Sequence, residues 1–222
     1  MGTRRPVASK RPHAGGRPTP AQAARRDERL LDVATALFLK HGFQGTSFDA
    51  LAQAARVSKP TIYARYRDKK ALFLAVLRRR VDIANALILK PIEIGAGTSK
   101  PARIEAALHA LSKRGVAQIL APDNVTLQRI VAAHAGGFPE LAKFADDSRR
   151  NLVAQVAAAL RHFVACGQID IKDTDMAADQ FLSLVLGQPQ RSILYGSPIT
   201  PHAAERYRRA AVDLFLKAVA RR

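Results

Sequence analysis

The sequence is poor in several residue types on which common classes of protein depend. Its 222 residues include one cysteine, Cys166, and no tryptophan. A single cysteine excludes a disulfide bond within the chain and is typical of proteins from a reducing cytosol. No apolar run approaches the roughly 20 residues that cross a bilayer, and no apolar segment follows the basic residues near the N-terminus. We therefore expect a soluble cytoplasmic protein without a membrane partner.

Motifs of enzymes and metal sites are equally scarce. The sequence has no dinucleotide fingerprint, no P-loop and no Gly-x-Ser-x-Gly nucleophile elbow. His162 and Cys166 lie four residues apart, where they could share a helical face and bind a metal or act as a base and a nucleophile. Two ligands do not complete a metal site, and a free cysteine is commonly a small buried hydrophobic residue. We expect no catalytic residue, no metal and no cofactor.

Acidic residues are few beside basic ones. The chain has 36 Lys and Arg against 18 Asp and Glu, a formal charge of +18. The excess is uneven, because residues 1–90 hold 19 basic and 6 acidic side chains while residues 91–222 hold 17 and 12. A charge of this size indicates a polyanionic partner, bound mainly by the N-terminal part.

Apolar residues recur at helical spacing, which predicts an all-α fold. Thr19 and Pro20, followed by Gln22, form a clear helix start, and Gly42 is expected to close that helix. Asp68 is expected to cap a long helix from Lys69 to Leu89. Further helices are predicted over 101–120, 124–134, 139–165, 174–188 and 201–220.

Residues 45–66 carry the most informative pattern. Thr46 or Ser47 can cap a first short helix, and Thr46 with Asp49 has the spacing of a capping box. Ser58 can cap a second, with Pro60 in its first turn. The connection between them is so short that the chain must fold back steeply, as in a helix-turn-helix motif.

The second of these helices, predicted over 59–66, has one apolar and one polar side. Val57, Ile62 and Tyr66 are expected to face the first helix. The outer side carries cations, hydroxyl groups and one small residue, but no acid: Lys59, Thr61, Tyr63, Ala64 and Arg65. Such groups can bond phosphate oxygens and base edges in a DNA major groove. An ordinary helical hairpin with a solvated outer face is the alternative that these residues leave open.

A longer pattern surrounds this motif without a gap. It consists of Ala34, Phe38, Gly42, Phe43, Gly45, Thr46, Ser47, Ala52, Ala55, Val57, Ser58, Thr61, Ile62, Tyr63, Tyr66, Lys69, Leu72 and Phe73. Over residues 21–77 this pattern resembles the DNA-binding domain of the TetR/AcrR family of bacterial transcriptional regulators. One departure is Arg65, where the family often has His. Arginine keeps a phosphate donor there, so the departure concerns base preference.

The resemblance implies a division of the chain and a set of DNA contacts. Residues 19–68 would form a three-helix DNA-binding domain, and residues 69–222 a helical domain for ligand binding and dimerisation. Lys59, Thr61 and Arg65 would face the groove, while Thr46, Tyr63 and Lys69 would hold phosphates. The complete set of expected contacts is Arg17, Thr46, Ser47, Ser58, Lys59, Thr61, Tyr63, Arg65, Tyr66 and Lys69.

Residues 1–18 form a basic segment with almost no apolar side chains, and we expect it to be disordered in isolation. Gly16-Arg17-Pro18 resembles the centre of AT-hook arms that enter the minor groove, so Arg17 could supplement contacts in the major groove. The alternative is a solvated basic tail.

The family keeps a small-molecule pocket among its central helices, here residues 70–165. Such pockets are mostly apolar with a few polar groups. The candidates are Leu108, His109, Leu111, Ile130, His134, Phe144, Leu152, Gln155 and Phe163. Plain core packing is the alternative for each of them.

The last two predicted helices are apolar on more than one side, and large apolar patches mark interfaces. The resemblance implies that they pair with their copies in a homodimer. The candidate interface residues are Phe181, Leu182, Val185, Val212, Phe215, Leu216 and Val219. A symmetric dimer would place two recognition helices roughly 34–36 Å apart on a palindromic operator.

The sequence thus predicts a non-enzymatic, ligand-responsive repressor that binds double-stranded DNA as a homodimer, with an unknown small-molecule effector. The helix over 69–89 would couple the two domains. The rival prediction is a helical protein that binds nucleic acid through charge alone, without sequence preference.

Overall fold

The first helix, α1 (Pro20–Gly45), begins and breaks where its sequence predicts. In the computed structural model, which describes residues 19–88 and 103–220, Thr19 Oγ1 accepts a hydrogen bond from the Gln22 N–H at 3.3 Å. Gln22 Oε1 accepts from the Thr19 N–H at 3.1 Å, which completes the predicted capping box. Gly42 interrupts the helical backbone with φ 67° and ψ −177°. The predicted break at Gly42 is therefore confirmed.

The next two helices, α2 (Phe48–Ala55) and α3 (Lys59–Tyr63), form the predicted helix-turn-helix pair. Ser47 Oγ caps α2 by accepting from the Ala50 N–H at 3.2 Å. The predicted capping box of Thr46 and Asp49 is wrong, because the Thr46 hydroxyl turns inward and donates to the Gly42 carbonyl at 2.8 Å. Ser58 caps α3 as predicted, through the Thr61 N–H at 3.4 Å.

Six longer helices follow in the part of the chain that the structure describes, and they confirm the all-α prediction. They are α4 (Lys69–Ile88), α5 (Ile104–Ile119), α6 (Pro122–His134), α7 (Pro139–Ala165), α8 (Thr174–Leu194) and α9 (Pro201–Val219). Asp68 caps α4 as predicted, accepting from the Ala71 N–H at 2.7 Å. The predicted end of α8 at Gln188 is wrong, since the helix continues through Pro189. A proline inside a helix loses one N–H bond and crowds the carbonyl four residues back, but buried Pro189 and Ile193 anchor the extra turn in the core.

An N-terminal core joins α1–α4 to α6 and α7. Phe38 and Phe73 meet edge to face with ring centroids 4.8 Å apart, and Phe43 lies 5.4 Å from Phe73. Leu127 of α6 and Leu141 of α7 are buried in the same cluster. The N-terminal half of the chain therefore completes its core with side chains from the C-terminal half.

A second core fills the space between α5, α7, α8 and α9. It corrects the predicted dimer interface, because the chain itself covers most of the residues chosen for it. Those buried are Phe181, Leu182, Val185, Val212, Phe215 and Val219, and Leu216 packs partly against them. These side chains are not a free surface, since α5 and α7 lie over them. The apolar side chains left exposed on α8 and α9 are different ones: Met176, Leu194 and Leu214.

Within residues 19–88 and 103–220, no helix is both long and apolar enough to cross a bilayer.

Candidate nucleic-acid interface

The outer side of α3 carries exposed hydroxyl groups and a cation, while its inner side is packed in the N-terminal core. Ile62 has no exposed surface and fixes the helix on the N-terminal core. Lys59, Thr61 and Tyr63 point away from that core and are exposed. The hydroxyl groups of Ser58 and Thr61 lie 2.8 Å apart and share a hydrogen bond. The prediction that Ile62 faces inward is confirmed.

An acid on α2 lies beside this surface. Asp49 forms an ion pair with Lys59, and the two side chains are 71% and 50% exposed. The hydrogen bond to Asp49 and its charge raise the pKa of Lys59 above its usual value. Because the two residues lie on different helices, their spacing in the sequence gave no sign of the pair, and Asp49 was not among the predicted contacts.

The ring of Tyr63 packs against another aromatic ring. Its ring meets that of Phe48 edge to face with centroids 4.9 Å apart. The residue is 55% exposed all the same. This packing presents the phenol at the outer surface of the helix-turn-helix unit.

Arg65 and Tyr66, two of the predicted contacts, bond to α1: Arg65 stays exposed, whereas the contact predicted for Tyr66 is wrong because that side chain is buried. Arg65 forms an ion pair with Asp27 of α1 and donates to the Ala23 carbonyl at 3.2 Å. Tyr66 is only 8% exposed, and its hydroxyl donates to Asp27 Oδ1 at 3.1 Å. Burial, and then the charge of Asp27, raises the pKa of Tyr66 to about 12. Both residues fasten α3 to α1.

The predicted phosphate contact of Thr46 is also wrong, and the Lys69 side chain is held by contacts that were not predicted. Thr46 is 2% exposed with its hydroxyl on the Gly42 carbonyl, so that side chain is not available to a phosphate. Lys69 Nζ donates to the Gln44 carbonyl at 3.2 Å and lies 4.8 Å from the centre of the Phe43 ring. Its ammonium group is therefore held where α1 ends and α4 begins.

Other cations near this surface were not predicted as contacts. Arg25, Arg26 and Arg29 are exposed on the first turns of α1, beside the contact of Arg65 with Ala23. Arg56, in the turn between α2 and α3, is exposed and has a left-handed backbone with φ 54°. Arg17 and the rest of the basic arm lie outside the described residues.

The predicted pocket residues are divided between the two cores. Leu108, Leu111 and Phe163 are buried in the C-terminal core, and Leu152 packs against it. Ile130 and Phe144 pack on the N-terminal core instead. His134 lies 5.0 Å from the Phe43 ring, and Gln155 bonds to Asn151 at 3.1 Å. The prediction of a pocket formed by this set is wrong, since its members belong to two different cores.

Phe144 alone of that set lines a groove between α4 and α7, with a volume of about 510 Å³. Leu74 and Val81 complete its apolar lining, and Arg78 and Asp82 lie on its α4 side. The rest of the lining comes from α7 and is polar or charged: Glu140, Lys143, Asp147, Ser148 and Asn151.

His109 belongs to a polar cluster between α5 and α9 that the sequence did not indicate. Arg208 is 4% exposed and binds both carboxylate oxygens of Glu205, at 2.7 and 2.8 Å. It also donates to Ser112 Oγ at 2.7 Å and to the His109 carbonyl at 3.2 Å. Arg208 and, secondly, Arg209 lower the pKa of Glu205 to about 2.

His162 and Cys166 do share a helical face, with Sγ and Nε2 3.6 Å apart. Both are exposed. No group of three or more His, Cys, Asp or Glu side chains that could hold a metal occurs in the part of the chain that the structure describes.

Known proteins of similar sequence and fold agree on one class. Residues 30–76 match the model for bacterial regulatory proteins of the tetR family, and residues 106–220 match the C-terminal domain of AefR-like transcriptional repressors. The transcriptional activator FasR of Mycolicibacterium smegmatis is 32% identical over 132 residues, which cover 55% of this chain and 58% of FasR.

Solved structures extend the similarity to nearly the whole chain. A TetR-family regulator from Mesorhizobium loti superposes with a TM-score of 0.80 at 25% identity, covering 90% of this chain and 99% of that one. The flavonoid-responsive regulator FrrA is 32% identical with a TM-score of 0.70 over the same shares. These relatives are regulators, which confirms the non-enzymatic interpretation. The chain belongs to the TetR family of transcriptional regulators, whose N-terminal helix-turn-helix domain binds DNA.

Proposed function

We propose that this chain is a homodimeric repressor that binds a palindromic operator in the bacterial cytoplasm and is released from it by a small molecule. The observation that carries the proposal is the outer side of α3, where Lys59, Thr61 and Tyr63 are exposed while Ile62 anchors the helix. A short helix with a buried back and a polar front has the form that enters a major groove.

The exposed groups divide into two roles by their chemistry. Lys59 and Thr61 lie at the start of α3, where a donor can reach base edges. Tyr63 and Lys69 lie beyond them, held by Phe48 and Phe43 respectively, and are suited to phosphate oxygens. Ser47 and Ser58 support the two helix starts, and their hydroxyl groups lie close enough to the surface to bond a phosphate.

We propose that the dimer forms through the outer face of α8 and α9 rather than through the buried residues behind it. Leu214 of α9 is 58% exposed, and Leu184 of α8 lines a shallow groove beside it. Ala210, one turn before Leu214 on α9, is small and exposed, which lets a second copy approach closely. Burial of apolar side chains between two copies would stabilise the pair.

The dimer has a direct test. Leu214→Glu places a charge in the proposed interface and should give a monomer in sedimentation at micromolar concentration. Ile83→Glu is the matched control, because Ile83 is also an exposed apolar residue but lies on α4. A dimer of unchanged stability for Leu214→Glu would contradict this interface.

The groove between α4 and α7 is the proposed effector site. Helix α4 packs on α1 through the N-terminal core and on α5 and α7 through its other contacts. A ligand that changed the distance between α4 and α7 would therefore move α4 against α1 and alter the spacing of the two recognition helices. FrrA is a flavonoid-responsive regulator, which supports an aromatic molecule of similar size as the first effector to test.

Filling the groove should separate ligand response from DNA binding. Leu74→Trp places a large ring among the lining residues and should abolish release by an effector found in a flavonoid panel, while leaving operator affinity intact. Ile83→Trp, on the same helix but away from the lining, is the control. Release from the operator at the same ligand concentration by both variants would place the effector elsewhere.

Sequence-specific binding is tested with DNA from upstream of the protein's own gene among random genomic fragments. A footprint on one palindromic site supports the proposal, whereas equal retention of every fragment supports the charge-only rival. Tyr63→Phe and Lys69→Ala should weaken binding to operator and random DNA alike, and Lys69→Ala should reduce the slope of log K against log salt by about one for each subunit. Unchanged affinity in both variants would show that this surface does not hold phosphates.

A further inference from the structure

Asp49 stands out on the surface that α2 and α3 share. It belongs to the first turn of α2, is 71% exposed and forms an ion pair with Lys59 at the start of α3. The chain as a whole carries a formal charge of +18, with its excess in the N-terminal part. An exposed carboxylate beside the helix that would enter a groove therefore lies among groups of the opposite charge.

Neither fold stability nor DNA affinity accounts well for this placement. An exposed ion pair contributes roughly 0–1 kcal/mol to folding. A carboxylate that faces DNA is repelled by the phosphates, so Asp49 would lower the part of the affinity that does not depend on sequence. A group that lowers general affinity can still raise discrimination, since specificity is a difference between affinities.

The geometry of the pair suits the reading of bases. The ammonium group of lysine has three N–H donors on a flexible stem. One donor bonds to Asp49, which restricts the stem and leaves two donors for the O6 and N7 acceptors of a guanine. The carboxylate has acceptor capacity left, and the exocyclic amino group of a cytosine is the base-edge donor that Asp and Glu accept from.

We propose that Asp49 is a specificity-determining residue, which positions Lys59 for a guanine and itself accepts from a neighbouring cytosine in each half-site. The inference rests on the proposed function, since it requires α3 to lie in the major groove. It assigns to α2 a part in base recognition, whereas the residues predicted to face the groove, Lys59, Thr61 and Arg65, all belong to α3 or follow it closely.

Asp49 also has a local structural role, because an acid in the first turn favours the helix dipole. The variants must separate the two roles. Asp49→Asn removes the charge and changes the acceptor, while Asp49→Glu keeps the charge in the first turn and moves the carboxylate by one methylene. Asp32→Asn is the matched control, since Asp32 is another exposed acid in an ion pair between helices, with Arg79 at 2.6 Å, away from α3.

The test is selection of binding sites from a random duplex library by each full-length variant, followed by titration on the wild-type site and on random DNA. We expect the wild type and Asp32→Asn to select the same motif. Asp49→Asn should lose the preference for G·C at one or two positions of each half-site, bind random DNA more tightly at low salt, and lose about tenfold or more in the ratio of specific to random affinity. Lys59→Ala should lose preference at the same positions, and Asp49→Glu should keep its melting temperature but alter the motif.

The outcomes separate the two proposals. A wild type that selects no motif would overturn the proposed function and this inference with it. A wild-type motif that Asp49→Asn and Asp49→Glu both reproduce, with an unchanged affinity ratio, would overturn the inference alone. If Asp49→Asn melts at a markedly lower temperature, the motif selected by Asp49→Glu decides the inference, because that variant keeps the charge in the first turn.

Discussion

Asp27 of α1 and Tyr66, which follows α3, are joined by a hydrogen bond of 3.1 Å that the tyrosine hydroxyl donates to the carboxylate. The same carboxylate pairs with Arg65. These contacts fasten the residues next to the recognition helix to α1. The orientation of α3 therefore depends on Asp27, which lies 39 residues before Tyr66 in the sequence.

The Tyr66–Asp27 contact should make stability fall at alkaline pH. Burial, then Asp27, raises the pKa of Tyr66 from 10.0 in the unfolded chain to about 12, so the folded state holds the phenol proton more tightly. Its contribution is complete below pH 10 and is lost as the pH rises from 10 to 12. Urea unfolding followed by circular dichroism between pH 8 and 12 measures this. Tyr66→Phe should remove that part of the decline, and an equal decline in both proteins would contradict the assignment.

Glu205→Gln should destabilise the fold strongly, since Arg208 is almost fully buried and depends on that carboxylate. Leaving a buried charge without its partner costs about 3 kcal/mol. Arg209→Ala is the control, because Arg209 bonds the same carboxylate from an exposed position and should change stability by less than about 1 kcal/mol. Equal effects in thermal and urea unfolding would show that burial of Arg208 does not matter.

The stability that the Glu205 carboxylate contributes should depend on pH in the acid range. Arg208 and Arg209 lower the pKa of Glu205 from 4.5 to about 2. The carboxylate therefore contributes its full stabilisation above pH 4.5, and that contribution is lost as the pH falls towards 2. Unfolding free energies of the wild type and Glu205→Gln should converge over this window. A constant difference between pH 6 and pH 2 would be the contrary result.

Arg56→Asn should stabilise the helix-turn-helix unit. Arg56 has φ 54° and ψ 46°, a left-handed conformation that is unfavourable for most side chains by roughly 1–2 kcal/mol and better tolerated by asparagine. We expect a gain of about 0.5–1 kcal/mol in the free energy of unfolding. Arg56→Val, which is branched at Cβ, should instead lose about 1 kcal/mol or more. Denaturant titration of both variants would expose an error if their order were reversed.

Gly42→Ala should destabilise the end of α1 by about 1–3 kcal/mol. The cause is the backbone, because φ is +67° while a Cβ atom there would meet nothing within 4 Å. Gly137→Ala is a suitable control, since a Cβ atom at Gly137 also meets open space and its φ lies outside the left-handed region. We expect Gly137→Ala to be nearly neutral in thermal unfolding. A neutral Gly42→Ala would mean that the break can be redistributed along the chain.

Features fixed by neighbouring residues could be predicted from the sequence. The caps at Thr19, Ser58 and Asp68 depend on a side chain and an N–H three positions on, and all three occur. The inward side of α3 followed from its spacing, as buried Ile62 shows.

Features that depend on distant partners could not be predicted. The position of Arg65 predicts a groove contact but gives no sign of its ion pair with Asp27. Likewise, the position of Asp49 predicts a capping residue but gives no sign of its ion pair with Lys59. In the same way, the apolar runs of α8 and α9 suggested an interface, because no local pattern reveals that α5 and α7 cover them. Thr46 and Ser47 are adjacent hydroxyl residues, and either could cap α2. The sequence alone did not show that Ser47 is the cap and that the Thr46 hydroxyl turns inward.

Leu127, Phe138 and Leu141 lie in the same core as the helix-turn-helix motif. Phe138 also receives the ammonium group of Lys70 over its ring, at 4.9 Å from the centroid. A chimera that grafted residues 19–68 onto another effector domain would leave Phe73 and these three side chains behind, and it would expose Phe38 and Phe43 to water. Engineers who wish to transplant the operator preference of this regulator should therefore exchange the outer side chains of α2 and α3 and leave the scaffold whole.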